Sequence, residues 1–229
     1  QLDVPSIKKN IELSTKLIFI CSPNNPTGNL MLREDILEIA DRFSGLVVVD
    51  EAYIDFSPEG SLIDEIGNHP NLVVLQTFSK AWGLAAARVG MAFADEKIIR
   101  LFNRTKQPYN VSSLAQNAVL EAMKNEIQVN EWIGLTRALR TKLANELKQL
   151  ERVEEVYRSD ANFVLVKVAD AAAVYKFLLD EKIVVRDRSN VMLCEGCLRI
   201  TVGTPTENER LIEVLKKFER DTFSAISSK

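Results

Sequence analysis

The sequence predicts an α/β protein: a mostly parallel sheet belonging to a large domain, followed by a smaller α+β domain. Three short apolar runs lie within the first 80 residues, and turn residues bound each of them, as in buried parallel strands. Polar side chains follow each run. After residue 152 the pattern changes to paired strands with helices beside them. We expect the large-domain portion at 1–125, a connecting helix at 126–152 and the small domain at 153–229.

Composition excludes several classes of function. The chain has 229 residues, 46% of them apolar, and a net charge of −3, which argues against a nucleic-acid partner. No apolar run approaches the length that a membrane span needs. Three cysteines in a long chain suit a reducing cytoplasm. Cys194 and Cys197 form a C-x-x-C pair, but the remaining candidate ligands, Cys21 and His69, are far away in sequence, so we predict no metal site.

The first predicted strand is Lys16–Cys21, and the turn SPNNPTG follows it. Asn25 precedes Pro26, which favours an extended backbone and lets the Asn25 amide point off the end of the strand. The alternative is an ordinary tight turn without a ligand.

The second predicted strand, Leu46–Val49, follows a helix at 32–43 and ends in Asp50. An acid at the end of a buried strand is costly unless it is paired, and a pyridinium nitrogen is a suitable partner. Tyr53, three residues later, is placed to bond a phenolic oxygen on the same ring. Alternatively, Asp50 caps the following segment or pairs with an arginine of the core.

The third predicted strand, Leu72–Leu75, leads to Ser79 and Lys80. We expect Lys80 to lie among apolar neighbours, where burial favours a neutral amine that can form a Schiff base with a carbonyl. Arg88, with the Ser79 hydroxyl, suits a phosphate. A phosphorylated carbonyl compound suggests pyridoxal phosphate, whereas the alternative is a surface lysine and a surface arginine at the start of a helix.

The three strand ends are informative together. Because the carboxyl ends of parallel strands share one edge of a sheet, ligands bind there in open α/β folds. We therefore expect Asn25, Asp50, Tyr53 and Lys80 to meet along that edge.

The remaining elements follow from apolar spacing. We expect a strand at 88–94, helices at 96–101, 114–123, 127–153, 171–179 and 207–223, and strands at 153–157, 163–168, 183–186 and 197–202. Arg199 interrupts an apolar strand, so it is a candidate to grip an anion by two hydrogen bonds. Asn162 precedes a strand and is a candidate for the same cleft. The alternatives for Arg199 are a buried ion pair and a position on an edge strand.

Four segments, in this order, resemble the fold-type I pyridoxal-phosphate aminotransferases: SPNNPTG, VVVDEAYIDF, TFSKAWGLAAARVG and CLRITVGT. The segment KQPYNV at 106–111 is most similar to the histidinol-phosphate aminotransferases. The resemblance covers essentially the whole chain. It implies an exchange of an amino group between L-glutamate/2-oxoglutarate and histidinol phosphate/imidazole-acetol phosphate.

The resemblance also implies roles for single residues. Lys80 bonds covalently to the cofactor, and Asp50 pairs with the ring nitrogen. Arg199 receives the anionic end of the substrate, with Asn162 and Asn25 beside it. Further contacts to the phenolic oxygen come from Asn25 and Tyr53, and contacts to the cofactor phosphate come from Ser79 and Arg88.

Gln1 stands where an initiator methionine would be, and residues 2–10 look like a loop leading into a helix. We therefore expect a fragment with little activity of its own, since the family's upstream region supplies a backbone cup for the cofactor phosphate. The resemblance implies a homodimer, and uncovered sheet edges would invite pairing with another copy.

Three alternative functions stay open. Two use the same cofactor residues: a phosphothreonine decarboxylase and an aromatic amino-acid aminotransferase. The third is a ligand-sensing, aminotransferase-like domain of a transcriptional regulator.

Overall fold

A computed structural model describes the chain from residue 1 to residue 227, with side chains described up to residue 221. The chain divides into two compact units. The first unit comprises residues 1–24 and 29–133, and the second comprises residues 25–28 and the chain from residue 134 onward. The predicted domain boundaries at 125 and 152 stay a prediction.

The first unit is built on a four-stranded sheet in the order β1-β2-β3-β4, where β1 is Leu17–Cys21, β2 Leu46–Asp50, β3 Leu72–Thr77 and β4 Gly90–Ala94. The first three strands are parallel and β4 is antiparallel to β3, which confirms the predicted mostly parallel sheet. The register places Asp50 beside Cys21 of β1 and beside Leu75 of β3. The strand predicted at 88–94 begins only at Gly90, because Arg88 adopts a left-handed conformation with φ 56°.

Helices of the first unit are α1 Val4–Asn10, α2 Arg33–Arg42, α3 Glu96–Thr105 and α4 Ser113–Met123. The loop expected before Asn10 is in fact the helix α1. Its start is stabilised by the Asp3 side chain, which accepts a hydrogen bond of 3.0 Å from the backbone N–H of Ser6.

The core of the first unit lies between α2 and one face of the sheet. Val47, Val49, Leu72 and Val74, which lie on this face of the sheet, are fully buried. Ile36 and Ile39 of α2 pack in the same cluster. This packing holds the ends of β2 and β3 side by side.

A long helix, α5 Glu126–Leu147, crosses the boundary between the units. It is shorter than the predicted helix at 127–153. Backbone hydrogen bonds of the turn type, from Leu150 N–H to Leu147 O and from Val153 N–H to Leu150 O, end it before the next strand begins.

The second unit contains an antiparallel sheet in the order β5-β6-β8-β7. Its strands are β5 Val153–Val156, β6 Phe163–Val168, β7 Arg186–Asp187 and β8 Cys197–Thr201, and its helices are α6 Ala171–Asp180 and α7 Pro205–Ser227. Leu143, Leu147, Val166 and Leu178 are fully buried and belong to one cluster.

The strand predicted at 183–186 is reduced to the two residues of β7. Lys182 has φ 63°, and the backbone N–H of Ile183 bonds to the carbonyl of Leu178 at 2.7 Å. This pattern is a helix C-terminal turn, so the chain is still leaving α6 where the strand was expected.

In the described part of the chain, no helix is long and apolar enough to cross a membrane.

Candidate active site

Asp50 is the last residue of β2, and the sheet fixes its backbone on both sides. Ser22 N–H donates to the Asp50 carbonyl at 3.0 Å, and the next amide, that of Glu51, donates to the Leu75 carbonyl at 2.8 Å. The Asp50 Oδ1 atom accepts a hydrogen bond of 3.0 Å from Ala52 N–H, so the carboxylate does cap the following turn. Among the residues that the structure describes, this is the sole hydrogen bond to the carboxylate, and Oδ2 keeps its capacity to accept.

Tyr53 and Lys80 lie close together in the first unit. Tyr53 is buried, at 8% exposure, and the Lys80 Nζ atom lies 5.1 Å from the centroid of its ring. The face of an aromatic ring attracts an ammonium group. Lys80 itself is exposed, so the expectation that it lies among apolar neighbours is wrong for this chain. The reason is local: β3 ends at Thr77, and Lys80 lies in the turn beyond it.

The turn that carries Ser79 and Lys80 is organised by Thr77. The Thr77 hydroxyl donates to the carbonyl of Val89 at 3.2 Å and accepts from the backbone N–H of Ser79 at 3.1 Å. Gly83 closes the turn with φ 68°, and its N–H donates to the Lys80 carbonyl at 3.1 Å. A Cβ atom added at Gly83 would meet nothing within 4 Å, so the positive φ, and not crowding, favours glycine at this position.

Arg88 stands at the far end of the same segment. It is exposed, its backbone is in the left-handed region at φ 56° and ψ 41°, and its Nη1 atom donates to the Ala85 carbonyl at 3.0 Å. A residue with a side chain rarely adopts this conformation.

The first unit therefore presents a donor and acceptor set that fits a phosphorylated pyridine. Asp50 has an oxygen available for a ring N–H, Tyr53 offers a phenol, and the segment from Ser79 to Arg88 offers a hydroxyl, an amine and a fixed cation.

Asn25, Asn162 and Arg199 belong to the second unit. The Asn25 Oδ1 atom accepts a hydrogen bond of 2.7 Å from Arg199 Nη1, and the Arg199 guanidinium lies 4.9 Å from the Phe163 ring centroid. The carbonyl of Asn162 accepts from Val202 N–H at 2.9 Å. Asn25 lies in residues 25–28, which are anchored to this unit by a 2.7 Å bond from Asp160 N–H to the Gly28 carbonyl. That Asn25 shares one ligand with Asp50 and Lys80 stays a prediction.

Arg186 is a residue that the sequence did not single out. The register of β7 and β8 pairs Arg186 directly with Arg199. Two like charges opposite each other in a sheet repel, and an anion bound between them would relieve that repulsion. No local pattern identifies Arg186, because its pairing with Arg199 depends on the strand register.

Cys194 and Cys197 are buried free thiols, and burial raises the pKa of both. Cys21 is next to Asp50 in the sheet, and desolvation together with the Asp50 charge raises the pKa of its thiol. Raised values keep all three as thiols at neutral pH.

Several known proteins are similar to this chain. It is 50% identical over 217 residues to the histidinol-phosphate aminotransferase of Cytophaga hutchinsonii, covering 95% of this chain and 62% of that protein. It is 48% identical over 205 residues to that of Bacteroides fragilis, covering 90% and 59%. The chain thus spans about three fifths of the length of the curated relatives that it matches.

Solved structures with the same fold include the histidinol-phosphate aminotransferase of Clostridium acetobutylicum, with a TM-score of 0.89 and 24% identity, covering 96% of this chain and 68% of that one. The L-threonine-O-3-phosphate decarboxylase of Porphyromonas gingivalis has a TM-score of 0.81 and 28% identity, covering 93% and 67%. These likenesses confirm the predicted fold type I. The sequence model of the family "Aminotransferase class I and II" matches residues 1–215. The chain belongs to the class I and II aminotransferase family.

Proposed function

We propose that this protein is a pyridoxal-phosphate-dependent aminotransferase that exchanges an amino group between L-glutamate/2-oxoglutarate and histidinol phosphate/imidazole-acetol phosphate. One observation carries the choice of substrate: the 50% identity, over 95% of this chain, to a relative named as a histidinol-phosphate aminotransferase. The geometry of both units is consistent with it.

The cofactor would be held mainly by residues of the first unit. Lys80 is its covalent attachment point, Asp50 accepts a hydrogen bond from the ring nitrogen, and Tyr53 bonds the phenolic oxygen together with Asn25. Ser79 and Arg88 bind the phosphate. When bound, pyridoxal phosphate supplies the carbonyl that takes up an amino group and a ring that withdraws electrons.

Two side chains of the protein would transfer or hold protons during the reaction. Once the amino group of the substrate has taken the place of Lys80 on the cofactor, the freed Lys80 amine would remove the proton from the α-carbon of the substrate and later give that proton back, so that it would act in turn as base and acid. The Asp50 carboxylate keeps the ring nitrogen protonated. At about 4 Å and an effective dielectric constant near 20, that attraction amounts to about 4 kcal/mol.

The substrate's anionic end would bind in the second unit. Arg199 and Arg186 are paired across β7 and β8, and two guanidinium groups suit a phosphate dianion. Arg199 also binds the carboxylate of glutamate in the other half of the reaction. Asn25, which already contacts Arg199, and Asn162 complete this proposed site.

Reduction with borohydride tests the central assignment. In the full-length protein loaded with pyridoxal phosphate, we expect the reduced cofactor on the peptide that contains Lys80. Lys80→Ala should lose both the label and transamination, whereas the matched variant Lys97→Ala, at an exposed lysine of α3, should keep both. A label on another lysine would refute the assignment.

A decarboxylase is the second candidate, because the decarboxylase of Porphyromonas gingivalis shares the fold at 28% identity. Its phosphorylated substrate would suit the same pair of arginines. Release of carbon dioxide from phosphothreonine, without keto-acid formation, would favour it over the aminotransferase.

We further propose a homodimer in the cytoplasm that binds small-molecule substrates and no nucleic acid. The net charge of −3 agrees with the last point. Light scattering of the full-length protein, with and without cofactor, measures its oligomeric state.

A further inference from the structure

Glu51 is a buried acid to which the proposed reaction assigns no role. It directly follows Asp50 and is 2% exposed. A buried carboxylate is costly unless it is paired or fully hydrogen-bonded. Within the described part of the chain no lysine, arginine or histidine lies in ion-pair distance of it, so hydrogen bonds must stabilise it.

Three donors converge on the Glu51 carboxylate from two other segments. The Ser61 hydroxyl donates to Oε2 at 2.5 Å, and the Gln76 side-chain Nε2 donates to the same oxygen at 3.0 Å. The backbone N–H of Leu62 donates to Oε1 at 2.8 Å. The Gln76 Nε2 atom also lies 3.2 Å from the Ser61 hydroxyl. We call Glu51, Ser61, Leu62 and Gln76 the Glu51 clamp.

The clamp connects the two segments that carry the proposed cofactor residues. Glu51 lies between Asp50 and Tyr53 at the end of β2, while Gln76 lies on β3, four residues before Lys80. Its side-chain bonds add to the backbone bond from Glu51 N–H to the Leu75 carbonyl. Any shift of β2 against β3 would have to break these bonds.

We propose that Glu51 is a positioning residue: its buried carboxylate locks the ends of β2 and β3 together and thereby fixes Asp50 and Tyr53 relative to Lys80. This inference rests on the proposed function, because it is the cofactor site that is being positioned. Reacting groups must be held within a fraction of an ångström of their productive positions. The Glu51 clamp should therefore affect the rate of the reaction as well as the stability of the fold.

The clamp requires a carboxylate. An ionised carboxylate only accepts hydrogen bonds, which matches three donors. In Glu51→Gln, only one oxygen can still accept. The new NH2 group would face one of the three donors, so at least one hydrogen bond of the clamp would be lost. The swapped variant Glu51→Gln/Gln76→Glu restores one carboxylate and one amide across the same pair of positions.

The experiment uses the full-length protein and compares Glu51→Gln, the swapped variant and Glu59→Gln. Glu59 lies in the same loop and is exposed, so Glu59→Gln is the matched control. Hydrogen exchange of the cofactor-free protein follows the amides of residues 50–62. Two further measurements depend on the positions of Asp50 and Lys80. They are the pH titration of the absorbance of bound pyridoxal phosphate and the rate of transamination.

We expect Glu51→Gln to accelerate exchange at residues 50–62 and to lower kcat/KM by about 100-fold. The midpoint of the absorbance titration should move to higher pH. A displaced Asp50 would leave the ring nitrogen less often protonated, so less positive charge on the ring would oppose protonation of the nitrogen that joins Lys80 to the cofactor. The swapped variant should recover most of each effect, and Glu59→Gln should match the parent protein. If Glu51→Gln does not fold, Gln76→Leu, which keeps the Glu51 charge and two of its donors, should show the same changes more weakly.

A purely structural role would lower the Tm and leave the absorbance midpoint unchanged, and that result would overturn the proposal. So would parent-like exchange and titration in Glu51→Gln or, where that variant does not fold, in Gln76→Leu. A failure of the proposed function would be seen in a different measurement, because the parent protein itself would then bind no pyridoxal phosphate. Hydrogen exchange at residues 50–62 would still show whether the Glu51 clamp holds the ends of β2 and β3.

Discussion

At the scale of single residues, Asp50 shows how the end of a parallel strand presents a polar side chain. The parallel neighbours β1 and β3 hold its backbone, while one carboxylate oxygen bonds to Ala52 and the other stays available. In the sequence, the position of Asp50 directly after a valine run makes it a candidate, because ligands bind beyond the carboxyl ends of parallel strands in open α/β sheets.

Asp50→Asn tests this residue directly. We expect the variant to keep binding pyridoxal phosphate, since Tyr53, Ser79, Lys80 and Arg88 are unchanged, and to lose about a thousandfold in transamination, because about 4 kcal/mol of attraction is removed. Steady-state kinetics of the full-length protein give the measurement. Asp64→Asn, at an exposed aspartate of the same unit, is the control and should behave like the parent. Unchanged turnover in Asp50→Asn would contradict its role.

The exposure of Lys80 differs from the prediction. Apolar neighbours in sequence suggested burial, but the turn after β3 carries the lysine to the surface, next to the Tyr53 ring. Its exposure depends on the path of the turn, which a hydrophobicity pattern does not describe.

At the scale of elements, caps and turns explain most differences between expectation and structure. The apolar spacing predicted helices α2 to α7 and missed α1. Helices α5 and α6 end where turn-type backbone bonds replace helical ones. The same closing turn of α6 shortened β7. Element ends are therefore set by a few backbone bonds, whereas element type is set by a repeating pattern.

A surface ion pair links the end of α6 to α7 and gives a pH prediction. Lys217 Nζ donates to Glu181 at 2.6 Å, which lowers the pKa of Glu181 and raises that of Lys217. A lowered carboxyl pKa stabilises the fold above the ordinary value, and this contribution is lost as the pH falls through the lowered pKa. The raised lysine pKa contributes below its ordinary value and is lost at high pH.

Glu181→Gln should therefore reduce stability slightly at neutral pH, because exposed pairs contribute little. The difference from the parent should vanish below about pH 3, where the carboxyl group is protonated in both states. Urea unfolding at a series of pH values gives the measurement. Glu213→Gln, at an exposed position of α7 that is not part of this ion pair, should show no such pH-dependent difference. A Glu181→Gln difference that persisted in acid would contradict the assignment.

At the scale of the whole molecule, each unit has a buried cluster of its own: one packs against β1–β3 and the other against β6 and β8. Leu178→Ala should destabilise the second unit by about 2 to 5 kcal/mol, since Leu178 is fully buried in that cluster. Hydrogen exchange should show faster exchange in β6 and β8 with β1–β3 unchanged. Leu179→Ala, at the half-exposed neighbouring leucine, is the control. Equal effects on both sheets would mean that the two clusters unfold together.

The sequence by itself determined the family, the fold class, the order of the strands and of helices α2 to α7 along the chain, and the candidates Asp50, Tyr53 and Lys80. It could do so because buried parallel strands are read from local composition, and polar groups after them share one edge.

Only the tertiary structure decided the pairing of Arg186 with Arg199, the contact of Asn25 with Arg199, the exposure of Lys80 and the Glu51 clamp. Most of these features join segments that are distant in the chain. Strand register and side-chain packing select such partners, and neither leaves a periodic signal in the sequence.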